Sequence, residues 1–188
     1  VLVVGLGGGT IPSFLRQRFP DLAIDAVEID PGVVEVAKSH MGFREDANMR
    51  AHVEDGRRFI ERTVRPYDII FLDAFGADSV PYSLATREFL QSVRRALSPR
   101  GVVVGNIWSR VYNPLYDSML RAYRAVFDEV SDRITPATIA NWMRRIDEHG
   151  ADALVQTRPI RRRAPPATPA QPRSPHVDTP PQRANPAL

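Results

Sequence analysis

The amino-acid sequence predicts an α/β fold in which helices cover both faces of a doubly wound, mostly parallel β-sheet. Two observations lead to this class. Apolar, strand-like runs alternate with helix-like stretches along the body of the chain, an order that is typical of parallel strands joined by helical crossovers. In addition, the runs VLVV, IIFL and VVV are continuously apolar, as expected of central strands that are buried on both faces.

Five strands are predicted from these runs, and one more is a candidate near the end of the body. The candidate is DALVQT, which begins at Asp152. Because each predicted strand is separated from the next by a helical stretch, a parallel sheet follows. The five predicted strands are Val1–Val4, Ala23–Glu28, Arg50–Val53, Tyr67–Leu72 and Gly101–Ile107.

Helices are predicted where a capping side chain precedes an amphipathic stretch. Asp30 and Pro31 supply an N-cap and a favoured first helical residue before GVVEVAKSH. Ser83 is the predicted N-cap of LATREFLQSVRRAL, and a last helix is predicted to begin at Thr135-Pro136. Apolar residues share one face at helical spacing in three stretches: Phe89, Val93, Ala96 and Leu97; Tyr116, Met119, Leu120, Tyr123 and Phe127; and Ile139, Trp142, Met143 and Ile146.

The composition argues for one globular domain followed by a tail. The chain has 188 residues, of which 43% are hydrophobic and 25% charged, and this suits one domain with its own core. Residues 158–188 are rich in proline and arginine and are predicted to be a disordered tail. The formal net charge of +3 arises from that tail. The domain itself, residues 1–157, is close to neutral, so nucleic acid is not the expected partner.

Residue types exclude several kinds of site. The chain has no cysteine, which excludes disulfides and thiolate metal sites. Its four histidines lie far apart without metal-ligand spacing, so no metal is expected. No apolar run approaches the roughly 18 residues of a membrane span, and no signal peptide is recognisable. A cytoplasmic protein is therefore expected. Because Val1 already has the character of a strand interior, sequence preceding it is expected as well.

A cluster of glycines directly follows the first predicted strand, at Gly5, Gly7, Gly8 and Gly9. In an open α/β sheet, ligands bind outside the carboxyl ends of the strands, where the winding direction reverses. A helix that begins near Thr10 would also point free amides at that crevice. The cluster therefore predicts that backbone lies against a nucleotide-like ligand. Thr10 stands where the dinucleotide fingerprint has its third glycine, which disfavours NAD.

Two acids end the next two predicted strands. Glu28 lies where a carboxylate can accept hydrogen bonds from a ribose diol, although an ordinary strand-end acid is the alternative. Asp55, followed by Gly56, can accept a hydrogen bond from an adenine amino group. It can equally cap the helix GRRFIERT.

A further acid ends the fourth predicted strand. Asp73 would emerge beside the glycine cluster, where a carboxylate could orient a nucleophilic amine and take its proton. The alternative is a loop or helix-capping acid. Asp78 in the following loop and Tyr82 are the candidate contacts to the substrate.

These stretches together resemble a known family. VLVVGLGGGTIPSFL, DAVEIDPGVVEVAKSHMG, VEDGRRFI and YDIIFLDAFGAD are similar to the nucleotide-binding domain of spermidine synthases, the polyamine aminopropyltransferases. The similarity extends over roughly residues 1–130 and is greatest to the branch whose fourth strand ends in D-A-F. The resemblance implies a Rossmann-like fold of the class I S-adenosylmethionine-dependent methyltransferase type, and a homodimer.

The resemblance also implies a role for each candidate residue. Gly5 to Gly9 would hold the aminopropyl or amino-acid side of an S-adenosyl ligand, and Glu28 would bind its ribose. Asp55 with Gly56 would contact the adenine, and Asp73 would hold and deprotonate the attacking amine. The implied reaction transfers an aminopropyl group from decarboxylated S-adenosylmethionine to a di- or polyamine and releases methylthioadenosine.

The sequence departs from the family at one position of the amine site. Spermidine synthases usually have a second acid three positions after the catalytic one, whereas Gly76 stands there and Asp78 is the next acid. Two other functions therefore stay open. One is an S-adenosylmethionine-dependent methyltransferase, because one fold hosts many chemistries. The other is a non-catalytic module that binds an adenosyl ligand.

Overall fold

The computed structural model describes residues 1–76 and 80–131, together with the backbone of residues 152–156. Three predictions lie outside the described residues: the substrate contact of Asp78, the helix that begins at Thr135-Pro136, and the disordered tail at 158–188. No helix in the described ranges has both the length and the apolar character needed to cross a membrane.

Seven strands form one sheet in the order β3-β2-β1-β4-β5-β7-β6, and every neighbouring pair of these strands is parallel. The chain winds outward in one direction from β1 to β3 and in the other from β4 onward. The winding therefore reverses between β1 and β4, which confirms a doubly wound sheet. The strands are β1 Leu2–Val4, β2 Ile24–Glu28, β3 Met49–Val53, β4 Tyr67–Leu72, β5 Leu97–Asn106, β6 Glu129–Ser131 and β7 Asp152–Gln156.

The five strands predicted from apolar runs are all present, and so is the candidate at Asp152. β5 begins earlier than predicted, because Leu97 already pairs with Tyr67 before the regular register resumes at Val102. β6 was not predicted. It has only three residues, which is too short for an alternating or continuous apolar pattern to identify.

Helices connect the strands and pack on both faces of the sheet. The core accordingly has two parts. Leu2 and Val4 contact the cluster that includes α3, α4 and α5, whereas Val1 and Val3 contact the cluster that includes α1 and α2. This alternation explains why β1 is apolar at every position. The helices are α1 Thr10–Arg18, α2 Pro31–His40, α3 Gly56–Arg62, α4 Arg87–Ala96 and α5 Tyr116–Arg124, with a 3₁₀ turn at Tyr82–Leu84.

The predicted N-cap residue is confirmed for α2 but not for α4. Asp30 caps α2 as predicted, since its carboxylate accepts a hydrogen bond from the Gly32 amide at 2.8 Å. The predicted cap of α4 is wrong. Ser83 lies in the 3₁₀ turn, and the hydroxyl of Thr86 accepts from the Phe89 amide at 3.2 Å. Because the 3₁₀ turn occupies Tyr82–Leu84, α4 begins at Arg87, about one helical turn later than predicted. Thr86 then has the extended backbone conformation of an N-cap.

We expect Thr86→Ala to lower the free energy of unfolding by about 1 kcal/mol, because the Phe89 amide loses its capping acceptor. Ser83→Ala is the matched control and should change stability by less than about 0.5 kcal/mol. Equilibrium urea unfolding of the two variants measures the difference. Equal losses in both would contradict the assignment of the cap to Thr86.

Candidate functional site

A cavity of about 440 Å³ opens at the carboxyl ends of β1 to β4, at the point where the winding reverses. Its volume lies in the range of small-molecule binding sites. The predicted residues that line it are Gly5, Gly7, Glu28, Asp55, Gly56 and Asp73. Gly8, Gly9 and Tyr82 are not among its lining residues. The structure thus brings together the acids that end three different strands, and their contact with a ligand stays a prediction.

Gly5 forms the turn that leaves β1, and its position has no room for a side chain. Its φ of +94° is in the left-handed region, and an added β-carbon would lie 2.4 Å from the carbonyl oxygen of Asp73. The Gly5 amide donates to the Val27 carbonyl at 2.8 Å. The turn is therefore held between β2 and β4, directly beside the carboxyl end of β4.

The other glycines of the cluster have different surroundings. A β-carbon on Gly9 would lie 2.8 Å from the Phe43 ring, and Gly9 occupies the N-cap of α1 in a left-handed conformation. Nothing lies within 4 Å of the corresponding point on Gly7, which faces the cavity. Gly9 is thus explained by its close contact with Phe43 at the start of α1, whereas Gly7 leaves its backbone open to a ligand. No side chain caps α1, so the amides of Thr10 and Ile11 keep their donor capacity, whereas Pro12 has no amide hydrogen.

Glu28 connects the turn after β1 to the start of α2. Its Oε2 accepts from the Leu6 amide at 3.0 Å, and its Oε1 accepts from the Asp30 amide at 3.1 Å. Each carboxylate oxygen can accept more than one hydrogen bond. Because Glu28 also lines the cavity, the structural role does not remove its capacity to bind a ligand hydroxyl.

Asp55 is the N-cap of α3, which is the alternative that the sequence left open. Its Oδ1 accepts from the Arg58 amide at 2.9 Å, and the residue also lines the cavity. A β-carbon on Gly56 would lie 2.5 Å from Cγ1 of Val4. Glycine therefore allows α3 to begin directly against the end of β1, which keeps Asp55 at the cavity wall.

Asp73 is half-buried at the end of β4 and lines the cavity beside Gly5. Its amide donates to the Val4 carbonyl at 2.8 Å. Its Oδ1 accepts from Nδ2 of Asn106 at 2.9 Å. Burial raises the pKa of the Asp73 carboxyl, and the Asn106 hydrogen bond opposes that shift only in part. Asp73 is thus a carboxylate with increased affinity for a proton at the wall of the cavity.

Sequence reasoning missed two groups of residues at the site. Asn106 was missed, although a polar side chain at the end of the predicted fifth strand could have indicated it. The 3₁₀ turn was also missed as part of the wall. Its Ser83 and Leu84 line the cavity, and Arg57 of α3 donates to the Ser83 carbonyl at 3.1 Å. Tyr82 is 77% exposed, so it faces solvent beside the site.

Comparison with known families identifies the domain. The sequence model of the spermine/spermidine synthase domain matches residues 1–143. The chain belongs to the spermine/spermidine synthase domain family. This membership confirms the resemblance that the glycine cluster and the strand-end acids indicated.

Relatives of this spermine/spermidine synthase domain include two kinds of transferase. The polyamine aminopropyltransferase of Vibrio vulnificus is 42% identical over 132 residues, which are 69% of this chain and 44% of that protein. The human eEF1A lysine and N-terminal methyltransferase is 40% identical over 139 residues, which are 68% of this chain and 20% of that protein. The chain spans less than half the length of either relative.

Solved structures share the fold of the domain. Human methyltransferase-like protein 13, solved in complex with SAH, superposes with a TM-score of 0.63 at 31% identity and covers 78% of this chain and 79% of its own. The spermidine synthase of Thermotoga maritima has a TM-score of 0.59 at 21% identity and covers 68% of this chain and 44% of its own. The domain therefore has the Rossmann-like fold of class I methyltransferases.

We expect Gly5→Ala to lower the free energy of unfolding by about 3 kcal/mol, because its β-carbon meets the Asp73 backbone in a left-handed conformation. Gly7→Ala has the same unfavourable φ sign but free space around it, so it should lose only about 1 kcal/mol. Chemical unfolding of both variants separates the clash from the conformational strain. A Gly5→Ala loss no larger than that of Gly7→Ala would contradict the close approach.

We expect Asp73→Asn to become more stable relative to the wild type as the pH rises from about 3 to about 7. Since burial raises the pKa of Asp73 in the folded state, protonation of this group favours folding. That contribution is present below the unfolded-state pKa and is lost as the pH rises through the folded-state pKa. Unfolding free energies measured across this range test the sign. A stability difference between Asp73→Asn and the wild type that stays constant or falls over this range would contradict the prediction.

Proposed function

We propose that this domain transfers an aminopropyl group from decarboxylated S-adenosylmethionine to a di- or polyamine, in polyamine biosynthesis. The observation that carries the proposal is the half-buried carboxylate of Asp73, which lines the cavity beside the glycine turn. Family membership supports the proposal, as does 42% identity to a polyamine aminopropyltransferase.

The adenosyl donor fits the half of the cavity formed by β1, β2 and β3. In this proposal Glu28 accepts hydrogen bonds from the ribose hydroxyls, since its two oxygens retain acceptor capacity. Asp55 and Gly56 contact the adenine from the start of α3. Gly5 to Gly9 lie along the aminopropyl side, where Gly7 has open space above its backbone. The SAH complex of human methyltransferase-like protein 13, at 31% identity, supports an adenosyl ligand on this fold.

The proposed step is a nucleophilic displacement at carbon. The amine nitrogen attacks the aminopropyl carbon that is bonded to the sulfonium, and a carbon–nitrogen bond forms as the carbon–sulfur bond breaks. The electron pair of the broken bond stays on sulfur, so methylthioadenosine leaves as a neutral thioether. One proton leaves the attacking nitrogen and goes to the carboxylate of Asp73. The protein then contributes chiefly alignment and a base.

Asp73 suits this role because of its surroundings. Its negative charge attracts a cationic amine to the cavity. Burial raises the pKa of its carboxyl, and this brings its affinity for a proton closer to that of an efficient general base near neutral pH. Asp78 and Tyr82 are proposed to contact the rest of the acceptor. They would take over the role of the second acid of spermidine synthases, since Gly76 stands at that position here.

Methyl transfer from S-adenosylmethionine is the second candidate. It is favoured by the similarity to human methyltransferase-like protein 13, because the superposition covers 78% of this chain and 79% of the chain of that protein. The adenosyl half of the cavity serves both reactions equally. The two functions differ in which carbon next to the sulfonium is attacked, and therefore in the thioether that is released.

The test is to incubate the 188-residue chain with S-adenosylmethionine or its decarboxylated form and a panel of diamines and polyamines. Mass spectrometry then quantifies methylthioadenosine, SAH and the modified amine. We expect methylthioadenosine together with an aminopropylated amine. We also expect Asp73→Asn to lower kcat by at least about 100-fold, while calorimetry shows unchanged donor affinity. Asp21→Asn is the control carboxylate and should retain full turnover.

Other outcomes would change the assignment. SAH without methylthioadenosine would replace the proposal with methyl transfer and require a search for the methyl acceptor. Donor binding without any product, in the wild type and in Asp73→Asn alike, would indicate a non-catalytic binding module.

A further inference from the structure

Asn106, the last residue of β5, lies behind the carboxylate of Asp73 and outside the cavity. Its Nδ2 donates to Oδ1 of Asp73 at 2.9 Å. Asn106 does not line the large cavity but a separate gap of about 10 Å³ behind it, with Leu72, Met119 and Tyr123. Its side-chain amide can therefore influence the reaction only through the residues that it contacts, chiefly Asp73. A residue that acts in this way is a positioning residue.

The orientation of the Asn106 amide is determined by a second hydrogen bond. The backbone amide of Trp108 donates to Oδ1 of Asn106 at 3.4 Å. A backbone N–H can only donate, so the side-chain oxygen must face Trp108 and the NH₂ group must face Asp73. The interaction is thus directional. Asn106 donates to one carboxylate oxygen of Asp73 and leaves the other oxygen available to an amine.

Trp108 extends this arrangement to the cavity wall. Its φ of +56° is left-handed, a conformation that is rare for bulky residues and is found preferentially at functional sites. The Trp108 ring stacks on Phe75, with centroids 5.0 Å apart and planes 13° from parallel. Phe75 lines the cavity two residues after Asp73. One asparagine therefore connects the carboxylate with the aromatic ring beside it.

The loop that holds Trp108 is itself fixed by a buried asparagine. Nδ2 of Asn113 donates to the Ile107 carbonyl at 2.6 Å, and its Oδ1 accepts from the Leu115 amide at 2.9 Å. Asn113 is only 6% exposed. These contacts hold both ends of the loop and support the strained conformation at Trp108, so the position of Trp108 relative to Asn106 is well determined.

We propose that Asn106 is a positioning residue for the transfer reaction, which aims the Asp73 carboxylate into the cavity and, through Trp108, holds Phe75 beside it. The inference rests on the proposed function of Asp73 as the base. A neutral amide suits this place, because a carboxylate there would repel Asp73 and an apolar side chain would leave Oδ1 of the half-buried Asp73 without this donor.

Asn106 also affects the proton affinity of Asp73. Its hydrogen bond favours the ionised carboxylate and lowers the pKa that burial raises. The other ionisable groups around this part of the described structure are Glu28 and Asp55 across the cavity and the Tyr123 phenol behind Asn106. Removing the amide should therefore shift the acidic limb of the kcat profile to higher pH.

Three variants of the 188-residue chain test the role in steady-state assays with decarboxylated S-adenosylmethionine and the acceptor amine. We expect Asn106→Ala to lower kcat by about tenfold and to leave the KM of the donor unchanged. Asn106→Asp, which has nearly the same shape, should shift the acidic limb further than Asn106→Ala because it adds a like charge. Asn48→Ala, at an exposed position, is the matched control and should match the wild type. A merely structural role would lower activity without moving the acidic limb.

A measurement without turnover separates this inference from the proposed function. In the chain labelled with ¹³C at its aspartate carboxyls, NMR follows the titration of Asp73, which is assigned by its loss in Asp73→Asn. We expect the Asp73 midpoint to rise in both Asn106 variants. If no product forms but the midpoint rises, the proposed function fails and the coupling of Asn106 to Asp73 stands. An unchanged midpoint in both folded variants would overturn the inference.

Discussion

The close approach of Gly5 to the backbone of Asp73 is the contact on which the site depends. An added β-carbon on Gly5 would lie 2.4 Å from the Asp73 carbonyl oxygen, so the turn after β1 and the end of β4 are in direct contact. The hydrogen bonds from Gly5 to Val27 and from Asp73 to Val4 continue the strand ladders into this turn. Since the winding reverses between β1 and β4, this contact forms the floor of the crevice where a doubly wound sheet binds ligands.

The carboxylates around this crevice differ in the hydrogen-bond donors that orient them. Glu28 and Asp55 accept hydrogen bonds from nearby backbone amides, so the fold itself orients them before any ligand arrives. Asp73 has Asn106 as its side-chain partner, and burial opposes its charge. The carboxylate that we propose as the base therefore lies where its charge disfavours folding at neutral pH, in keeping with the common conflict between stability and activity.

The relatives of this chain include two kinds of transferase. One polyamine aminopropyltransferase is 42% identical to the aligned part of this chain, and one eEF1A lysine and N-terminal methyltransferase is 40% identical. The two reactions that we consider for this chain share the adenosyl group, which we propose to lie against the ends of β1 to β3, and they differ in the acceptor and in the carbon transferred. Asp73 and Phe75 line the cavity after β4, and the loop after β5 contacts this part of the wall through the stacking of Trp108 on Phe75. Differences among these residues, rather than in the fold, are expected to separate the two activities.

The sequence by itself determined most of the architecture and the strand-end acids that line the cavity, because these depend on local patterns. Apolar runs predicted the strands, and Asp30 predicted the start of α2. The acids that end β2, β3 and β4 were predicted to meet because parallel strands end at the same edge. Only the tertiary structure decided the rest. Asn106 meets Asp73 across 33 positions of the chain, the space around Gly9 is set by Phe43, and the 3₁₀ turn transfers the cap from Ser83 to Thr86. The first two depend on contacts between segments that lie far apart in the sequence, so the local pattern around each residue does not specify its partner.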